Sequence, residues 1–178
     1  MQKFLKMNEM KKLLFEEHQI QRRGLPWLIV LLIWTLSIYQ ISIEKFSEEN
    51  VLVDLILLIV MPLIVSLLLF LLKLSVIVTN ESISYKMFPF HWDYRKINFD
   101  QIKKATMQEY NTSLGFHGWG IGPFWNNKYR SYTIKGKKGI ELVLKNGNVL
   151  FIGSARADEL MSLINLLKQF KRSRQLKF

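Results

Sequence analysis

The sequence contains no cysteine among its 178 residues, which excludes disulfide bonds and thiolate metal sites and fits a reducing compartment. The three histidines, His18, His91 and His117, lack the spacing of metal ligands. Phosphate-binding P-loops, nucleophile elbows and HExxH motifs are absent as well. We therefore predict a protein without enzymatic activity, cofactor or small-molecule substrate.

Acidic residues are scarce: 14 Asp and Glu stand against 25 Lys and Arg, a net charge of +11. The basic excess lies outside two apolar runs, while the segment between those runs, residues 44–50, is acidic. Such a charge suits nucleic acid, but no recognition motif accompanies it, so we predict no nucleic-acid partner. An anionic membrane surface gives the basic residues a physical use, since each nearby Lys or Arg contributes about 1 kcal/mol.

The two apolar runs, residues 26–43 and 55–72, contain no charged side chain. A helix of that length measures about 27 Å, close to the thickness of a bilayer core. A core helix of a soluble protein is seldom apolar on every face for so long. We predict a transmembrane hairpin over residues 26–75 with spans at 26–43 and 51–73, so that the lipid bilayer itself is a partner.

Charges around the spans predict their orientation. Lys and Arg are frequent before the first span and after the second, whereas the connecting loop has only Lys45. By the positive-inside rule both termini are cytoplasmic, and the protein is a multi-pass protein of the cell (inner) membrane. Within the second span, Pro62 should kink the helix, and Asp54 should lie at headgroup depth or face the partner helix.

Residues 1–25 form a cytoplasmic leader for which two interpretations stay open. Apolar residues such as Phe4, Leu13 and Ile20 among Lys, Glu and Gln favour a short amphipathic helix on the inner membrane face. The alternative is a frayed tail whose Lys and Arg set the topology. A cleaved signal peptide is not predicted, because no small-residue cleavage site follows the first span.

Residues 74–178 have the pattern of a cytoplasmic β-rich domain. β-branched runs and alternating polarity predict seven strands, at 74–79, 82–87, 92–99, 104–110, 129–134, 139–145 and 148–152. Asn146-Gly147 predicts a tight two-residue hairpin between the last two strands. The glycine-rich segment 111–128 predicts a long, shaped loop.

A single helix closes the predicted domain. Ser154 is its expected N-cap, and Asp158 and Glu159 complement the helix dipole in the first turn. Apolar residues at helical spacing predict a stripe that packs on the sheet: Leu160, Leu163, Ile164, Leu167 and Phe170.

The hairpin at 78–85 (VTNESISY), the strand and turn at 97–102 (INFDQI), and the segments 139–142 and 152–154 together resemble bacterial pleckstrin-homology-like (PH-like) domains. The resemblance covers roughly residues 74–170. It implies an all-β barrel or sandwich of about seven antiparallel strands, capped by a C-terminal α-helix and placed directly after transmembrane helices. Eukaryotic pleckstrin-homology domains read phosphoinositides through cations in the first hairpin loop. Here that loop is Asn80-Glu81, without a cation, so this specificity is not carried over.

The candidate residues of a lipid or partner surface are Trp119, Trp125, Lys135, Lys137, Lys138 and Lys145. The tryptophans either plug one end of the barrel or anchor a membrane or ligand contact, and the lysines cluster around two turns. We predict a non-enzymatic, membrane-anchored interaction module whose domain binds a protein partner, a second copy of itself or anionic lipid. The alternative is a small auxiliary subunit of a transporter or envelope complex that acts through its transmembrane helices.

Overall fold

A computed structural model of the protein describes residues 13–20, 22, 24–43, 51–110, 120–122 and 128–175. The chain divides into two compact units. One holds the two apolar helices, within residues 20–72, and the other combines residues 13–19 with everything described from Lys73 onward.

The helical unit contains α1 (Leu25–Ile43) and α2 (Val51–Leu71). The second helix is interrupted by a π-helical turn at Ile56–Val60, and α-helical geometry resumes at Met61. Pro62 is the second residue after this turn; it has no N–H for an i−4 bond, and its ring would collide with the carbonyl of residue 58 in a regular α-helix. The π-turn is thus a local irregularity beside Pro62, and the predicted kink stays a prediction.

Both helices are long and apolar enough to cross a membrane, by length and composition. Among the described side chains, only Val30 and Ser37 in Pro26–Ile43 and Pro62 and Leu69 in Val51–Leu71 are buried. The two helices contact each other through a hydrogen bond from the Trp34 indole N–H to Ser66 Oγ, 3.0 Å long. The Ser66 hydroxyl in turn donates to the Pro62 carbonyl at 2.7 Å.

The second unit contains nine strands within the described ranges. These are β1 (Leu13–Ile20), β2 (Lys73–Thr79), β3 (Ser82–Phe88), β4 (Arg95–Asn98), β5 (Ile102–Glu109), β6 (Gly120–Gly122), β7 (Tyr129–Thr133), β8 (Lys138–Leu144) and β9 (Val149–Ser154). They form a four-stranded sheet, β1-β2-β3-β4, and a five-stranded sheet, β5-β8-β9-β7-β6. A terminal helix, α3 (Ala157–Gln175), follows β9.

Strand β1 corrects both interpretations of the leader, because residues Leu13–Ile20 are neither helix nor frayed tail. They occupy the edge of the first sheet beside β2, where His18 Nδ1 lies 2.9 Å from Ser75 Oγ. Burial alternates along the strand, with Phe15, Glu17 and Gln19 inside. Two of these inward residues are polar, so the apolar alternation that normally signals a strand is missing.

Strands β2 and β3 form the predicted hairpin around Asn80-Glu81. Val76 pairs with Tyr85 and Val78 with Ile83, and these side chains are buried, as period-two alternation predicts. The predicted strand at 92–99 is shorter than expected: β4 begins only at Arg95, and Phe99–Gln101 form a 3₁₀ turn.

The second sheet departs from the predicted all-antiparallel order, because β7 and β9 are parallel. Strand β9 pairs antiparallel with β8 and lies between β8 and β7, so the turn after β7 connects strands that are not neighbours. Strand β6 is a further difference, since Gly120–Gly122 pair with β7 inside the segment predicted to be a loop. The count of about seven strands was therefore too low.

The turn between β8 and β9 confirms the hairpin at Asn146-Gly147 but is one residue longer than predicted. Leu144 N–H donates to the Asn148 carbonyl at 2.8 Å, which leaves three residues in the loop. Gly147 has φ 84°, the left-handed conformation that closes a three-residue hairpin loop.

The terminal helix begins at Ala157, so Ser154 is not its N-cap. Ser154 is instead the last residue of β9. Of the predicted apolar stripe, Leu160 and Ile164 are fully buried, whereas Phe170 is exposed. The helix contacts β5, β8 and β9, so it packs on the second sheet as predicted, through a narrower face.

Candidate functional site

The loop between β3 and β4, residues 89–94, carries exposed aromatic side chains. Phe90 is 56% exposed and Trp92 76% exposed, and the Trp92 ring stands edge-on to Phe88, with centroids 5.7 Å apart. Lys86 Nζ lies 5.8 Å from the centroid of the Tyr94 ring, within cation–π range. We call residues 89–94 the aromatic loop.

His91 fixes the aromatic loop to the core. Its backbone N–H donates to the Met87 carbonyl at 2.8 Å, and its ring packs edge-on against Tyr132, with centroids 5.2 Å apart. The ring is also 6.1 Å from that of Tyr85. His91 therefore sits where β3 of one sheet meets β7 of the other, while its neighbours Phe90 and Trp92 point to solvent.

One strand in each sheet carries an exposed arginine on the same face as buried core side chains. On β4, Arg95 pairs with Tyr85, and Ile97, two residues on and hence on the same face, pairs with Ile83. On β7, Arg130 lies two residues before the buried Tyr132, and Arg130 pairs with Leu150. On each of these two strand faces, the row of buried side chains is thus followed by an exposed arginine.

These two arginines face a cavity of about 320 Å³ between the sheets, which we call the cationic pocket. Lys128 supplies a third cation, and Tyr85 and Asn148 are the other polar residues of the wall. The apolar part of the wall consists of Ile97, Leu144, Val149 and Leu150. A volume of this size lies at the lower end of the range for small-molecule sites.

No carboxylate belongs to the described wall of the cationic pocket. The neighbouring segments 111–119 and 123–127 contain no Asp or Glu in the sequence either. The Glu16, Asp158 and Glu159 carboxylates form ion pairs with His18, Lys138 and Arg156, and these pairs do not involve Arg95 or Arg130.

The pKa values of His91 and Tyr85 are both shifted in this part of the domain. Burial lowers the pKa of His91 below its ordinary 6.5, and the positive charges of Arg95 and Arg130 lower it further. Burial is the largest cause that raises the pKa of Tyr85 to about 12, and the neighbouring Tyr132 raises it further. Arg95 acts in the opposite direction and lowers this pKa. Tyr85 therefore remains a hydrogen-bond donor at neutral pH.

The four lysines predicted as one surface are placed at two separate turns. Lys135, Lys137 and Lys138 lie at the start of β8, and Lys138 Nζ is 3.4 Å from an Asp158 oxygen. Lys145 follows the other end of β8, roughly 20 Å away at the rise of a β-strand. Trp119 and Trp125, the two predicted aromatic anchors, lie outside the described residues.

The aromatic loop and the cationic pocket were both missed by the sequence reasoning. For the loop a signal existed, because Phe88, Phe90, Trp92 and Tyr94 fall within seven residues. Arg95 and Arg130 are exposed charges, and only the strand pairing shows that each shares a face with core residues beside one cavity. Metal ligation offers no alternative here: in the described part of the chain, no group of three His, Asp or Glu could hold an ion.

No protein-family model matches this chain, and a comparison with curated proteins yields no match. Functional proposals therefore rest on the geometry and charge of the chain itself.

Proposed function

We propose that this protein is a non-enzymatic, membrane-anchored interaction module. In this proposal α1 and α2 cross the membrane as a hairpin. Both termini are cytoplasmic, as is the unit of residues 13–19 and 73 onward, which we call the β-unit. The β-unit is a PH-like domain that acts at the inner membrane surface, on anionic lipid or on a partner held there. Two sheets followed by a C-terminal helix support the PH-like assignment, while the parallel β7–β9 pair departs from it.

The observation that carries the proposal is that the two helices expose apolar side chains and bond their polar groups internally. Leu28, Leu32 and Leu63 are among many large apolar side chains that are more than half exposed, which water would oppose and lipid would not. The Thr35 and Ser42 hydroxyls donate to carbonyls of their own helix, at 2.8 Å each. Internal satisfaction of polar groups is what a hydrocarbon environment demands.

The contact between the helices has the same character. Trp34 N–H, Ser66 Oγ and the Pro62 carbonyl form a continuous hydrogen-bonded chain in an otherwise apolar pair. In lipid, where apolar surfaces give no net drive for association, such bonds and close packing hold helices together. A soluble helical hairpin would instead bury one apolar stripe and cover the opposite faces with charge.

The end of the sheet at which β2 begins has the composition of a membrane interface. Lys73 directly follows Leu72, the C-cap of α2, and pairs with Phe88 at the start of the aromatic loop. A strand that begins at the end of a membrane span starts at headgroup level, so the aromatic loop would lie there too. Exposed Trp and Tyr prefer this depth, and the cations Lys73 and Lys86 suit anionic headgroups.

Cysteine labelling tests the topology, and the natural absence of cysteine makes it direct. Single Ser47→Cys and Ser173→Cys variants would be treated on intact cells with a membrane-impermeant thiol reagent. We expect labelling at position 47 and none at 173 until the membrane is permeabilised. Labelling at 173 but not at 47 in intact cells would reject the proposed orientation, and labelling at both would reject a spanning hairpin.

A depth measurement tests the position of the aromatic loop. A fluorophore on Phe90→Cys, in full-length protein reconstituted into bilayers, should be quenched by lipids that carry a nitroxide near the headgroup. The matched control is Asn80→Cys, an exposed site at the opposite end of the β2–β3 hairpin, about 17 Å farther along the strands. Equal quenching at both positions would show that the loop has no preference for the interface.

A further inference from the structure

The turn between β7 and β8 carries two exposed lysines, Lys135 and Lys137, on a backbone that is held from several sides. The Tyr110 hydroxyl donates to the Lys135 carbonyl at 2.9 Å, and the Tyr110 N–H donates to the Lys137 carbonyl at 2.8 Å. Gly136 between them has φ 100°, and a Cβ there would lie 2.9 Å from a carbonyl oxygen of β9, so glycine is favoured at this position. We call residues 135–137 the basic turn.

Acidic residues of this region pair with Lys138, the first residue of β8. Its Nζ atom lies 3.4 Å from an Asp158 oxygen, and Glu109 is its partner across the β5–β8 pair. None of the ion pairs between described residues includes Lys135 or Lys137. The two ammonium groups of the basic turn therefore supply the charge that a partner of this turn would meet.

The basic turn lies where β1 ends and β2 begins. The Lys135 N–H donates to Gln19 Oε1 at 3.0 Å, and Gln19 is the second-last residue of β1. The preceding residue, His18, contacts Ser75, which is three residues past Leu72 at the end of α2. Three residues of extended chain span at most about 11 Å. The basic turn is therefore held at the end of the β-unit that is joined to both apolar helices.

The aromatic loop occupies the same end of the β-unit. Its His91 ring packs against Tyr132 with centroids 5.2 Å apart, and Lys135 follows three residues after Tyr132. Lys73, the first residue of β2, pairs with Phe88 at the start of the loop. Exposed aromatic rings from one sheet and exposed ammonium groups from the other thus lie at one end, a composition that suits the interface of an anionic membrane.

Lys145, which follows the other end of β8, belongs to the opposite end of the β-unit. Its N–H donates to the Gln101 carbonyl at 2.8 Å, in the 3₁₀ turn before β5. In the same turn, the Phe99 N–H donates to the Glu81 carbonyl at 3.1 Å, in the turn that joins β2 to β3. Lys145 is exposed like the lysines of the basic turn, so it provides a control of equal charge at a different position.

We propose that the basic turn binds the headgroups of anionic lipids in the bilayer that α1 and α2 cross. This inference rests on the proposed membrane anchor, and it adds the chemical class of the lipid and the residues that contact it. A stable protein interface uses about 20–30 residues on each side, many more than the basic turn offers. A lipid surface needs no such area, because the helices keep the turn at a high effective concentration beside the headgroups. At 0.1 M salt, ammonium groups within about 10 Å of that surface are attracted to it.

A depth measurement on the full-length protein in nanodiscs tests the position of the basic turn. Single cysteines at Lys137→Cys and Lys145→Cys carry the same fluorophore, and lipids with a nitroxide at the headgroup act as quenchers. We expect strong quenching at position 137 and weak quenching at 145, because roughly 20 Å of β8 separates the two sites. A third fluorophore, at Leu63→Cys in α2, reports on the anchor itself through a nitroxide deep in the acyl chains.

Equal quenching at positions 137 and 145, together with deep quenching at 63, would overturn the lipid contact and leave the anchor standing. Absence of deep quenching at 63 would reject the anchor, and the lipid contact with it. The measurement thus tells a failure of the lipid contact from a failure of the anchor.

A second measurement tests the charge of the lipid. Electron paramagnetic resonance with spin-labelled phosphatidylglycerol and spin-labelled phosphatidylcholine reports the fraction of each lipid that the full-length protein immobilises. The test variants are Lys137→Gln alone and Lys137→Gln combined with Lys135→Gln. The matched control is Lys145→Gln, which removes one charge at the opposite end of β8, and circular dichroism would confirm that all variants are folded.

We expect the wild type and Lys145→Gln to favour phosphatidylglycerol. The preference should fall in Lys137→Gln and fall several-fold in the double variant at low salt, since one Lys beside an anionic surface changes binding by roughly fivefold. In the wild type it should fade toward 1 M salt, where the Debye length is about 3 Å. Equal affinity of the wild type for both lipids, or a double variant that matches Lys145→Gln, would overturn the proposal.

Discussion

The Glu17 carboxylate accepts a hydrogen bond from the Ser154 hydroxyl, across 137 residues of sequence that include both apolar helices. The second Glu17 oxygen accepts the Ala155 backbone N–H at 2.9 Å. Next to it, Gln19 donates to the Gly153 carbonyl at 2.9 Å and accepts the Lys135 N–H at 3.0 Å. Strand β1 thus satisfies backbone groups of the second sheet, and the helical hairpin is an insertion between two neighbouring strands of one domain.

Removal of the Glu17 carboxylate should destabilise the β-unit. Glu17→Ala leaves the Ala155 N–H and the Ser154 hydroxyl without their acceptor, at a cost of roughly 1.5–3 kcal/mol. The matched control is Glu16→Ala on the exposed face of the same strand, for which we expect a change within about 0.5 kcal/mol. Chemical unfolding of the full-length protein in detergent measures both, and equal effects would mean that the Glu17 contacts contribute little.

The β-unit should fold without the helices if β1 is kept. His18 and Ser75 are in contact, so the ends of β1 and β2 are separated by roughly 20 Å at most, which eight Gly/Ser residues can bridge. A chain with residues 21–72 replaced by such a linker should be soluble and melt cooperatively. A fragment that begins at Lys73 lacks β1 and should melt at a lower temperature or aggregate. Identical melting of the two chains would show that β1 is dispensable.

The terminal helix offers a matched pair of leucines. Leu160 is 1% exposed and Leu166 is 51% exposed on the same helix. Leu160→Ala creates a cavity under the helix and should cost roughly 2–5 kcal/mol, whereas Leu166→Ala should change stability by less than about 0.5 kcal/mol. Calorimetry or denaturant unfolding would compare them. A larger loss for Leu166→Ala would place the helix on the sheet through another face.

His91 should make the β-unit sensitive to acid. Because burial and the two arginines lower the pKa of His91 in the folded protein, the unfolded chain binds a proton first as pH falls. The stabilisation is present above the ordinary pKa of 6.5 and is lost as pH falls through the lower folded value. Unfolding free energies between about pH 5 and 8 should therefore decline less in His91→Phe than in the wild type.

A related comparison separates the causes of that shift. Arg130→Gln removes one repelling charge and should weaken the acid sensitivity, yet part of it should persist because burial is the larger cause. A wild type whose pH dependence matches that of His91→Phe would contradict the lowered pKa.

Much of the fold could be predicted from local sequence. The two continuous apolar runs predicted the two helices, because the length and lack of charge of a run can be read without knowing what the helix contacts. Alternation at Ile83, Tyr85 and Met87 predicted β3 and its buried face. Leu160 and Ile164 at helical spacing likewise predicted α3 and the side that packs.

Other features escaped because their signal is not local. Strand β1 carries Glu17 and Gln19 where apolar residues are expected, and these make sense only beside the backbone groups of Gly153 and Lys135. The parallel pairing of β7 with β9 depends on which strand occupies the place beside β8. Turn residues specify that the chain reverses but not which strands become neighbours.

The sequence by itself therefore determined the elements: two apolar helices, most strands with their inward faces, and an amphipathic terminal helix, because periodicity and turn chemistry act over a few residues. Only the tertiary structure decided that β1 completes a domain interrupted by the helices, and that Arg95 and Arg130 face one cavity. Those facts depend on contacts between residues far apart in the chain. The role of a polar or charged side chain in such contacts depends on its partners, which a local sequence pattern does not identify.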